Sequence, residues 1–243
     1  MKTNKPFLSI IVPAYNEESR LRKTLPEFLK FLADSKKPVE IVFVNDGSSD
    51  DTSKVIRKAT EGLPNSRLIG LSANRGKGAA IREGMLSARG TFRIFADADN
   101  STPIRQAEKL LEAADDRTVV IGSRYVSGAQ IKIKQPLYRI IGSRVLNLLT
   151  RIILLPDIKD TQCGFKLFPQ RAVAEIFPKI RLTRFSFDLE VLALAKAFGY
   201  RIKEVPIEWE DNPHSTVDPV KDGLKLLRDA IRIKINLMRG DYK

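Results

Sequence analysis

One segment combines a short strand-like run with two closely spaced aspartates: T-F-R-I-F-A-D-A-D, from Thr91 to Asp99. Its apolar part is too short for a typical helix and is rich in residues that favour strands. The two aspartates follow where the predicted strand ends. The segment therefore predicts a buried strand whose carboxyl end carries two acidic side chains.

The chain before this segment alternates predicted strands and helices. The strands are Phe7–Pro13, Val39–Val44 and Arg67–Leu71, and the helices are Ser19–Leu32, one that begins near Thr52, and Gly78–Ala88. Such alternation implies right-handed crossovers, so we expect an α/β, Rossmann-like fold with a mostly parallel central sheet flanked by helices.

Polar clusters follow three of these strands at the point where each ends. They are Tyr15-Asn16-Glu17, Asn45-Asp46-Gly47-Ser48 and Asp97-Ala98-Asp99-Asn100. Ligands of open α/β sheets bind beyond the carboxyl ends of the strands. We therefore expect the three clusters to meet at one edge of the sheet and to form one site.

The second half of the chain is less regular. It predicts strands at Thr118–Ser123 and Arg201–Trp209, and helices at Leu137–Leu155, Phe187–Phe198 and Val220–Met238. The polar segment Asp211–Pro219, which contains two prolines, is the candidate linker. We expect a catalytic domain over residues 1–215 and a C-terminal amphipathic helix over residues 216–243.

The composition indicates an anionic partner. Of 243 residues, 43% are hydrophobic, and 42 basic against 29 acidic side chains give a net charge of +13. This length suits one α/β domain. The positive excess lies mainly beyond residue 120 and is typical of proteins that bind nucleic acid, lipid headgroups or phosphorylated substrates. Because no recognised nucleic-acid-binding motif is present, we expect no nucleic-acid partner.

The sequence also favours a cytoplasmic protein on the cytoplasmic face of a membrane. The single cysteine, Cys163, cannot form an internal disulfide, which suits a reducing compartment. The N-terminus has no apolar signal core, and no stretch approaches the roughly 18 apolar residues that span a bilayer. Membrane contact would therefore be peripheral.

Asp97 and Asp99 are the candidate metal ligands. Two carboxylates in a turn after a strand can converge on one hard cation, and Mg²⁺ or Mn²⁺ binds carboxylate and phosphate oxygens together. Two familiar phosphate loops are excluded. Gly76-Lys77-Gly78 lacks the third glycine of the dinucleotide fingerprint, and neither the glycine spacing nor the residue after Lys77 fits a Walker A loop.

Asp46 lies in V-N-D-G-S (Val44–Ser48), where the chain must turn at Gly47. A carboxylate at this strand end can accept hydrogen bonds from a nucleotide base or ribose. The alternative is that Asp46 closes an Asx-type turn.

Seven sequence blocks resemble, in order, the inverting family 2 glycosyltransferases, and in particular the dolichyl- or polyprenyl-phosphate sugar synthases. The blocks are I-V-P-A-Y-N-E (Ile11–Glu17), V-N-D-G-S (Val44–Ser48), N-R-G-K-G-A-A-I-R-E-G (Asn74–Gly84), D-A-D (Asp97–Asp99), G-S-R (Gly122–Arg124), D-T-Q-C-G-F-K-L-F (Asp160–Phe168) and F-D-L-E (Phe187–Glu190). The resemblance spans residues 7–215 and implies the GT-A-type nucleotide-sugar-binding fold.

The resemblance also implies roles for individual residues. Those expected to contact the nucleotide sugar are Pro13, Tyr15, Glu17, Asp46, Lys77 and Asp97. Asp97 and Asp99 would hold Mg²⁺ or Mn²⁺ on the diphosphate. The residues implied in catalysis are Arg124, which would stabilise the diphosphate or the acceptor phosphate, together with Asp99 and Asp160.

Asp160 is the candidate for orienting or deprotonating the acceptor. A lipid phosphate is ionised near neutral pH and needs no strong base, so Asp160 would be essential only for a hydroxyl acceptor. The alternative is that Asp160 caps a turn or a helix.

The resemblance favours UDP-glucose as donor and polyprenyl or dolichyl phosphate as acceptor. Mannosyl-type relatives often have glutamine two residues beyond the second aspartate, where this chain has Ser101. They also tend to carry an arginine after the strand that corresponds to Arg201–Trp209, where this chain reads Glu210-Asp211-Asn212-Pro213-His214-Ser215. The alternatives are a GDP-mannose donor, a glycan hydroxyl acceptor in cell-envelope synthesis, and a non-enzymatic nucleotide-sugar-binding partner of a membrane complex.

Two stretches fit an anionic membrane surface. On the predicted terminal helix, apolar and basic residues recur on different faces, as in interfacial helices. The apolar residues are Leu224, Leu227, Ile231, Ile235 and Met238, and the basic ones are Lys221, Lys225, Arg228, Arg232 and Arg239. The segment Leu137–Leu155 is similar. Both helices could instead pack on the protein core or on a membrane-protein partner.

Overall fold

A computed structural model describes residues 5–132, 137–210 and 221–242. The strands are β1 (Leu8–Ala14), β2 (Val39–Asn45), β3 (Ser66–Gly70), β4 (Phe92–Phe95), β5 (Thr118–Ser123), β6 (Gln130–Ile131), β7 (Lys166–Pro169), β8 (Arg201–Pro206) and β9 (Glu208–Trp209). The α-helices are α1 (Glu18–Asp34), α2 (Thr52–Thr60), α3 (Lys77–Ser87), α4 (Ala107–Glu112), α5 (Leu137–Ile153), α6 (Gln170–Ile176), α7 (Phe187–Ala197) and α8 (Lys221–Arg239).

Seven strands form the central sheet in the order β3-β2-β1-β4-β7-β5-β8. β1 pairs in parallel with β2 and β4, β2 with β3, and β5 with β8. Every residue of β2 is buried, which explains its apolar run Ile41–Val44. The α/β architecture and the mostly parallel sheet expected from the sequence are therefore confirmed.

Helices cover both faces of the sheet, and those that pack on it bury an apolar side against it. α1 buries Leu21, Leu25 and Phe28, and each such side chain contributes about 1.5–3 kcal/mol relative to exposure. α3 approaches the sheet closely at Gly84, where a Cβ atom would lie 2.5 Å from Ile11 Cγ2. The close approach fixes the start of α3 relative to the ends of the strands.

β7, which the sequence pattern does not predict, is antiparallel to both of its neighbours, β4 and β5. The strand has only four residues and includes a buried lysine and a proline, so it lacks a strand-like pattern. Its first residue, Lys166, lies opposite Phe95 and Ile121. The segment Asp160–Phe165, which leads into β7, is thereby brought to the edge of the sheet where β4 and β5 end.

The predicted single strand Arg201–Trp209 is wrong in one respect, because it is divided. β8 follows β5 as far as Pro206, and Glu208–Trp209 then pairs with β6 in a separate two-stranded sheet. The chain changes partner at Ile207, whose N–H donates to Ser123 and whose carbonyl accepts from Gln130. This switch brings Trp209 close to the end of β5.

α8 belongs to the main hydrophobic core. Its residues Leu226, Ala230 and Ile233 are buried in the cluster that contains α7, and Gly223 lies against Leu146 of α5. The predicted linker Asp211–Pro219, the domain boundary at residue 215 and most of the Glu210–Ser215 segment lie outside the described residues. Within the described ranges, no helix is long and apolar enough to cross a membrane.

Candidate active site

The three polar clusters meet at the carboxyl edge of the sheet. Ala14 of β1 lies opposite Asn45 of β2, and the Asp46 N–H donates to the Ala14 carbonyl over 2.8 Å. The first two clusters are joined by hydrogen bonds from the Asn16 N–H to Ser48 and from the Ser49 N–H to Asn16, each 2.9 Å. The expected convergence therefore follows from the parallel order of β1, β2 and β4.

The loop that carries Asp97 and Asp99 turns sharply and is fixed to α1. Asn100 has a positive φ of 53° and donates its N–H to the Asp97 carbonyl over 3.0 Å. The Thr24 hydroxyl of α1 donates to the Ala98 carbonyl over 2.7 Å. One Asp99 oxygen accepts from the Ser101 N–H over 3.0 Å. The turn holds the two aspartates in place without enclosing them.

Asp97 forms an ion pair with Lys77, the first residue of α3. Lys77 Nζ lies 2.6 Å from Asp97 Oδ1, and 37% of the Asp97 side chain is exposed. Burial alone would lower the pKa of Lys77, but the charges of Asp97, Asp188 and Asp99, together with the hydrogen bond to Asp97, more than offset it and the pKa is raised. Asp97 therefore keeps access to solvent while Lys77 balances its charge.

Gly164 forms a cradle for the Asp97 carboxylate. A Cβ atom at residue 164 would lie 2.2 Å from Asp97 Oδ2, so any larger residue would displace that oxygen. This close approach gives a physical reason for glycine in D-T-Q-C-G-F.

The donor set suits a hard divalent cation. Within the described ranges, no three or more His, Cys, Asp or Glu side chains form a complete protein metal cage. A Mg²⁺ or Mn²⁺ ion on Asp97 and Asp99 would therefore need phosphate oxygens and water to complete its shell. This is the usual arrangement for Mg²⁺ in phosphate-binding sites.

Glu17, Tyr15 and Pro13 line the β1 side of this edge. Glu17 pairs with Arg20 over 2.7 Å. Burial raises the pKa of Glu17; Arg20 opposes the shift, and the charges of Asp99 and Asp97 add to it. The Tyr15 ring is exposed and Pro13 is half-buried near the end of β1. Their contacts with a nucleotide stay predictions.

Asp46 is buried and holds the loop before α3. Its two oxygens accept from the Arg75 and Gly76 N–H groups over 2.8 and 2.7 Å. Asp46 thus fixes the glycine that precedes Lys77. The predicted contact with a base or ribose is not tested by these bonds, because each carboxylate oxygen can accept more than one hydrogen bond.

Arg124 and Asp160 form a closed pair at the end of β5. The Arg124 Nε and a terminal nitrogen donate to the two Asp160 oxygens over 2.8 and 2.9 Å, and the Arg124 N–H donates over 2.9 Å. Burial of Asp160 would raise its pKa, but Arg124 more than offsets this and the pKa is lowered. Asp160 is 1% exposed. This geometry suits a side chain that supports Arg124.

Two further residues fix this pair and were not assigned a role from the sequence. The Trp209 ring centroid lies 5.2 Å from Arg124 Cζ, within the range of a cation–π contact. Glu204 accepts from the Asp160 and Lys159 N–H groups over 2.9 and 2.8 Å. As the only tryptophan, Trp209 was visible in the sequence, but its place depends on the switch from β8 to β9.

A second buried ion pair lies behind the Asp97 loop. Lys166 Nζ contacts Asp188 and the Cys163 carbonyl, and both charged side chains are buried. Burial raises the pKa of Asp188, while Lys166 opposes the shift. Cys163 is buried, and burial raises its pKa to about 12. Cys163 is therefore a packing residue.

Comparison with known sequences identifies the family. The family described as glycosyl transferase family 2 matches residues 9–177. This match covers β1 to β7 and the edge that carries Asp97, Asp99, Arg124 and Asp160. The chain belongs to glycosyl transferase family 2, which confirms the resemblance and the enzyme class.

Two relatives carry the same name. The chain is 35% identical to the dolichyl-phosphate beta-glucosyltransferase of Dictyostelium discoideum over 250 residues, covering 98% of this chain and 76% of the relative. It is 33% identical to the Homo sapiens enzyme of that name over 250 residues, covering 97% and 77%.

A solved structure supports the fold. Glucosyl-3-phosphoglycerate synthase from Mycobacterium tuberculosis, in complex with Mn²⁺, UDP and glucosyl-3-phosphoglycerate, aligns with a TM-score of 0.66 at 17% identity, covering 97% of this chain and 81% of that one. At this identity the likeness concerns the fold alone, and it agrees with the expected GT-A type.

Proposed function

We propose that the protein transfers glucose from UDP-glucose to a dolichyl or polyprenyl phosphate, with inversion and with Mg²⁺ or Mn²⁺. The observation that carries the proposal is the Asp97–Asp99 turn beside Lys77 at the carboxyl edge of the sheet. The turn supplies hard oxygen ligands and Lys77 supplies a cation, and together they suit a nucleoside diphosphate. The choice of acceptor follows the names of the relatives at 33–35% identity.

The proposed step exchanges one bond at the anomeric carbon. An oxygen of the acceptor phosphate attacks this carbon, the bond to the UDP oxygen breaks, and its electron pair leaves with UDP. The acceptor oxygen is already ionised near neutral pH, so no proton has to be removed by a strong base. A bound metal ion would supply charge neutralisation for the leaving diphosphate.

The protein's own residues have separate tasks in this proposal. Lys77 lies beside the metal ligand and provides a cation for the diphosphate. Arg124 keeps N–H groups beyond those that bind Asp160, and these can face a phosphate. Asp160 holds Arg124 in one orientation. Charges that are already held in place stabilise the charge that develops on a leaving group, because the protein does not have to reorganise during the reaction.

We propose that α5 and α8 rest on an anionic membrane surface at its cytoplasmic face. Both helices carry exposed apolar side chains, among them Ile152 at 67% and Met238 at 80% exposure. Basic residues accompany them, with Arg144 and Arg151 on α5 and Lys225, Arg228 and Arg232 on α8. Buried apolar area and attraction to anionic lipid together give interfacial binding.

The transfer is tested with purified protein, UDP-[¹⁴C]glucose and dolichyl phosphate in detergent micelles. We expect lipid-extractable label that depends on Mg²⁺ or Mn²⁺, and much less label from GDP-[¹⁴C]mannose. Label in water-soluble glycan acceptors alone would contradict the proposed acceptor. Absence of UDP binding with either metal would contradict the whole proposal.

The membrane contact is tested by co-sedimentation with vesicles of phosphatidylcholine and phosphatidylserine. Ile231→Glu and Met238→Glu place charge on the exposed face of α8, so we expect weaker binding to these vesicles. Leu86→Glu on α3 is the matched control, since Leu86 is also an exposed apolar helix residue. Equal binding by all three variants would contradict the proposed face.

A further inference from the structure

The F-D-L-E motif (Phe187–Glu190) at the start of α7 has no part in the function proposed above. Its first two residues are explained by packing and charge: Phe187 lies against Gly78 and Phe95, and Asp188 pairs with Lys166. Glu190 is fully buried. Its own contacts lie elsewhere and connect two distant parts of the chain.

Glu190 joins the segment 181–186 to the end of α8. One of its oxygens accepts from the Arg181 and Leu182 N–H groups over 3.0 and 2.8 Å. The other accepts from the Tyr242 hydroxyl over 2.7 Å. Tyr242 is itself buried. Hydrogen bonds to a buried carboxylate are among the stronger ones in proteins, so this connection is rigid.

The Arg181 side chain adds a second contact between the segment 181–186 and the residues that follow α8. Its guanidinium donates to the Asp241 carbonyl and lies 5.1 Å from the centre of the Tyr242 ring. The chain can return to this position because Gly240, the residue after α8, has a φ of 75°. The end of α8 and the segment 181–186 are thus held together at two points.

The segment 181–186 in turn supports the start of α3. The Ala79 N–H donates to the Thr183 carbonyl over 3.1 Å. A Cβ atom on Gly76 would lie 2.5 Å from this carbonyl oxygen, and one on Gly78 would lie 2.9 Å from the Leu182 oxygen. Lys77 lies between these two glycines and pairs with Asp97. A shift of the segment would therefore move Lys77.

We propose that Glu190 is a positioning residue that couples the end of α8 to the donor site, through the segment 181–186 and Lys77. The inference rests on the proposed function, because it assumes that UDP binds beside Lys77 and Asp97. It gives the proposed membrane helix a direct mechanical connection to the residues that hold the donor.

The test compares Tyr242→Phe with Tyr200→Phe. Each change removes a phenol hydroxyl that donates to a glutamate over 2.7 Å, Glu190 in one case and Glu175 in the other. Tyr200→Phe is thus a matched control away from the segment 181–186. UDP affinity with Mn²⁺ is measured by calorimetry, and hydrogen–deuterium exchange is followed at residues 180–184.

For Tyr242→Phe we expect UDP affinity to fall about fivefold, with faster exchange at residues 180–184 and a KM for UDP-glucose that rises more than kcat falls. Tyr200→Phe should change none of these. Glu190→Gln keeps an acceptor oxygen for the two amides and should bind UDP nearly as well as the wild type, whereas Glu190→Ala should resemble Tyr242→Phe or be weaker.

Equal UDP affinity and equal exchange in Tyr242→Phe and Tyr200→Phe would overturn the inference and leave the proposed function intact. If the wild type bound no UDP, the proposed function itself would fail. Should Tyr242→Phe not fold, Glu190→Ala takes its place, because it removes the acceptor of the Arg181 and Leu182 N–H groups and of the Tyr242 hydroxyl; wild-type UDP affinity in that variant would overturn the inference.

Discussion

Two carboxylates at the same edge of the sheet have opposite surroundings. Asp97 is 37% exposed and its side chain pairs with Lys77. Asp160 is 1% exposed, and Arg124 donates three hydrogen bonds to it. A side chain with solvent access can exchange its partner for a ligand, whereas a closed buried pair loses much when either partner is removed. We infer that Asp97 contacts the bound ligand, whereas Asp160 holds Arg124 in position.

The largest expected effect is the loss of transfer in Asp97→Ala. Without this carboxylate the turn has lost half of its proposed metal ligands, and transfer should fall about 10²- to 10³-fold. The fold should persist, because the side chain is partly exposed. Transfer rate and thermal unfolding are measured together, with the exposed Asp34→Asn as control. A rate within a few-fold of the wild type would contradict the assignment of Asp97 to the ligand.

Asp160→Asn should instead act mainly on stability. Removing one partner of a buried ion pair costs about 3–5 kcal/mol, because the other charge is left uncompensated. Asp157→Asn is the matched control, since Asp157 forms an exposed pair with Lys196 and such pairs contribute at most about 1 kcal/mol. Urea unfolding at neutral pH measures both. If the free energy of unfolding fell equally in the two variants, the buried pair would contribute no more to stability than the exposed pair.

The same variant separates the two classes of acceptor. At a temperature where Asp160→Asn is folded, substantial residual transfer is expected for a phosphate acceptor, because no proton has to be removed. Near-total loss of transfer would favour a hydroxyl acceptor with Asp160 as its base.

Gly164→Ala tests whether the position of the Asp97 carboxylate matters for metal binding. The added methyl group meets Asp97 Oδ2, which is the end of a flexible side chain, so the carboxylate should move while the fold persists. We expect Mn²⁺ affinity to fall about 10- to 100-fold. Gly70→Ala is the control, since a Cβ there has no neighbour within 4 Å. Unchanged Mn²⁺ affinity, measured by calorimetry with UDP, would contradict the cradle.

The parts of the site that follow regular strands could be predicted from the sequence. Asp97 and Asp99 come directly after β4, and the parallel order of β1, β2 and β4 places their clusters together. The family blocks added Arg124 and Asp160 but not their contact. That contact depends on β7, which inserts antiparallel between β4 and β5 and has no recognisable strand pattern.

The remaining contacts involve residues far apart in the chain. Glu190 and Tyr242 are separated by 52 positions, and the sequence shows only an acidic residue in a helix and a tyrosine near the end. Single-sequence patterns report periodicity within an element, so they cannot show which buried polar groups meet. Lys166 and Asp188 escape prediction for the same reason.

The smallest expected effect is a difference in the pH dependence of stability between two buried carboxylates. Arg124 holds the pKa of Asp160 below its ordinary value of 3.8. The stabilisation by ionised Asp160 is therefore complete above pH 3.8 and is lost as the pH falls through the lower folded-state pKa.

Burial raises the pKa of Glu190 above its ordinary value of 4.5, although Tyr242 and two backbone N–H groups oppose the shift. Ionised Glu190 therefore costs stability, and this cost appears as the pH rises from 4.5 through the raised pKa.

Asp160→Asn and Glu190→Gln should consequently differ from the wild type in opposite directions. The advantage of the wild type over Asp160→Asn should shrink as the pH falls below 3.8. The stability of Glu190→Gln relative to the wild type should increase as the pH rises above 4.5. Each slope is limited to about 1.4 kcal/mol per pH unit, since one proton is involved. Urea unfolding between acidic and neutral pH measures the two stability differences. If both variants changed with pH in the same direction relative to the wild type, the proposed difference between the Asp160 ion pair and the burial of Glu190 would be contradicted.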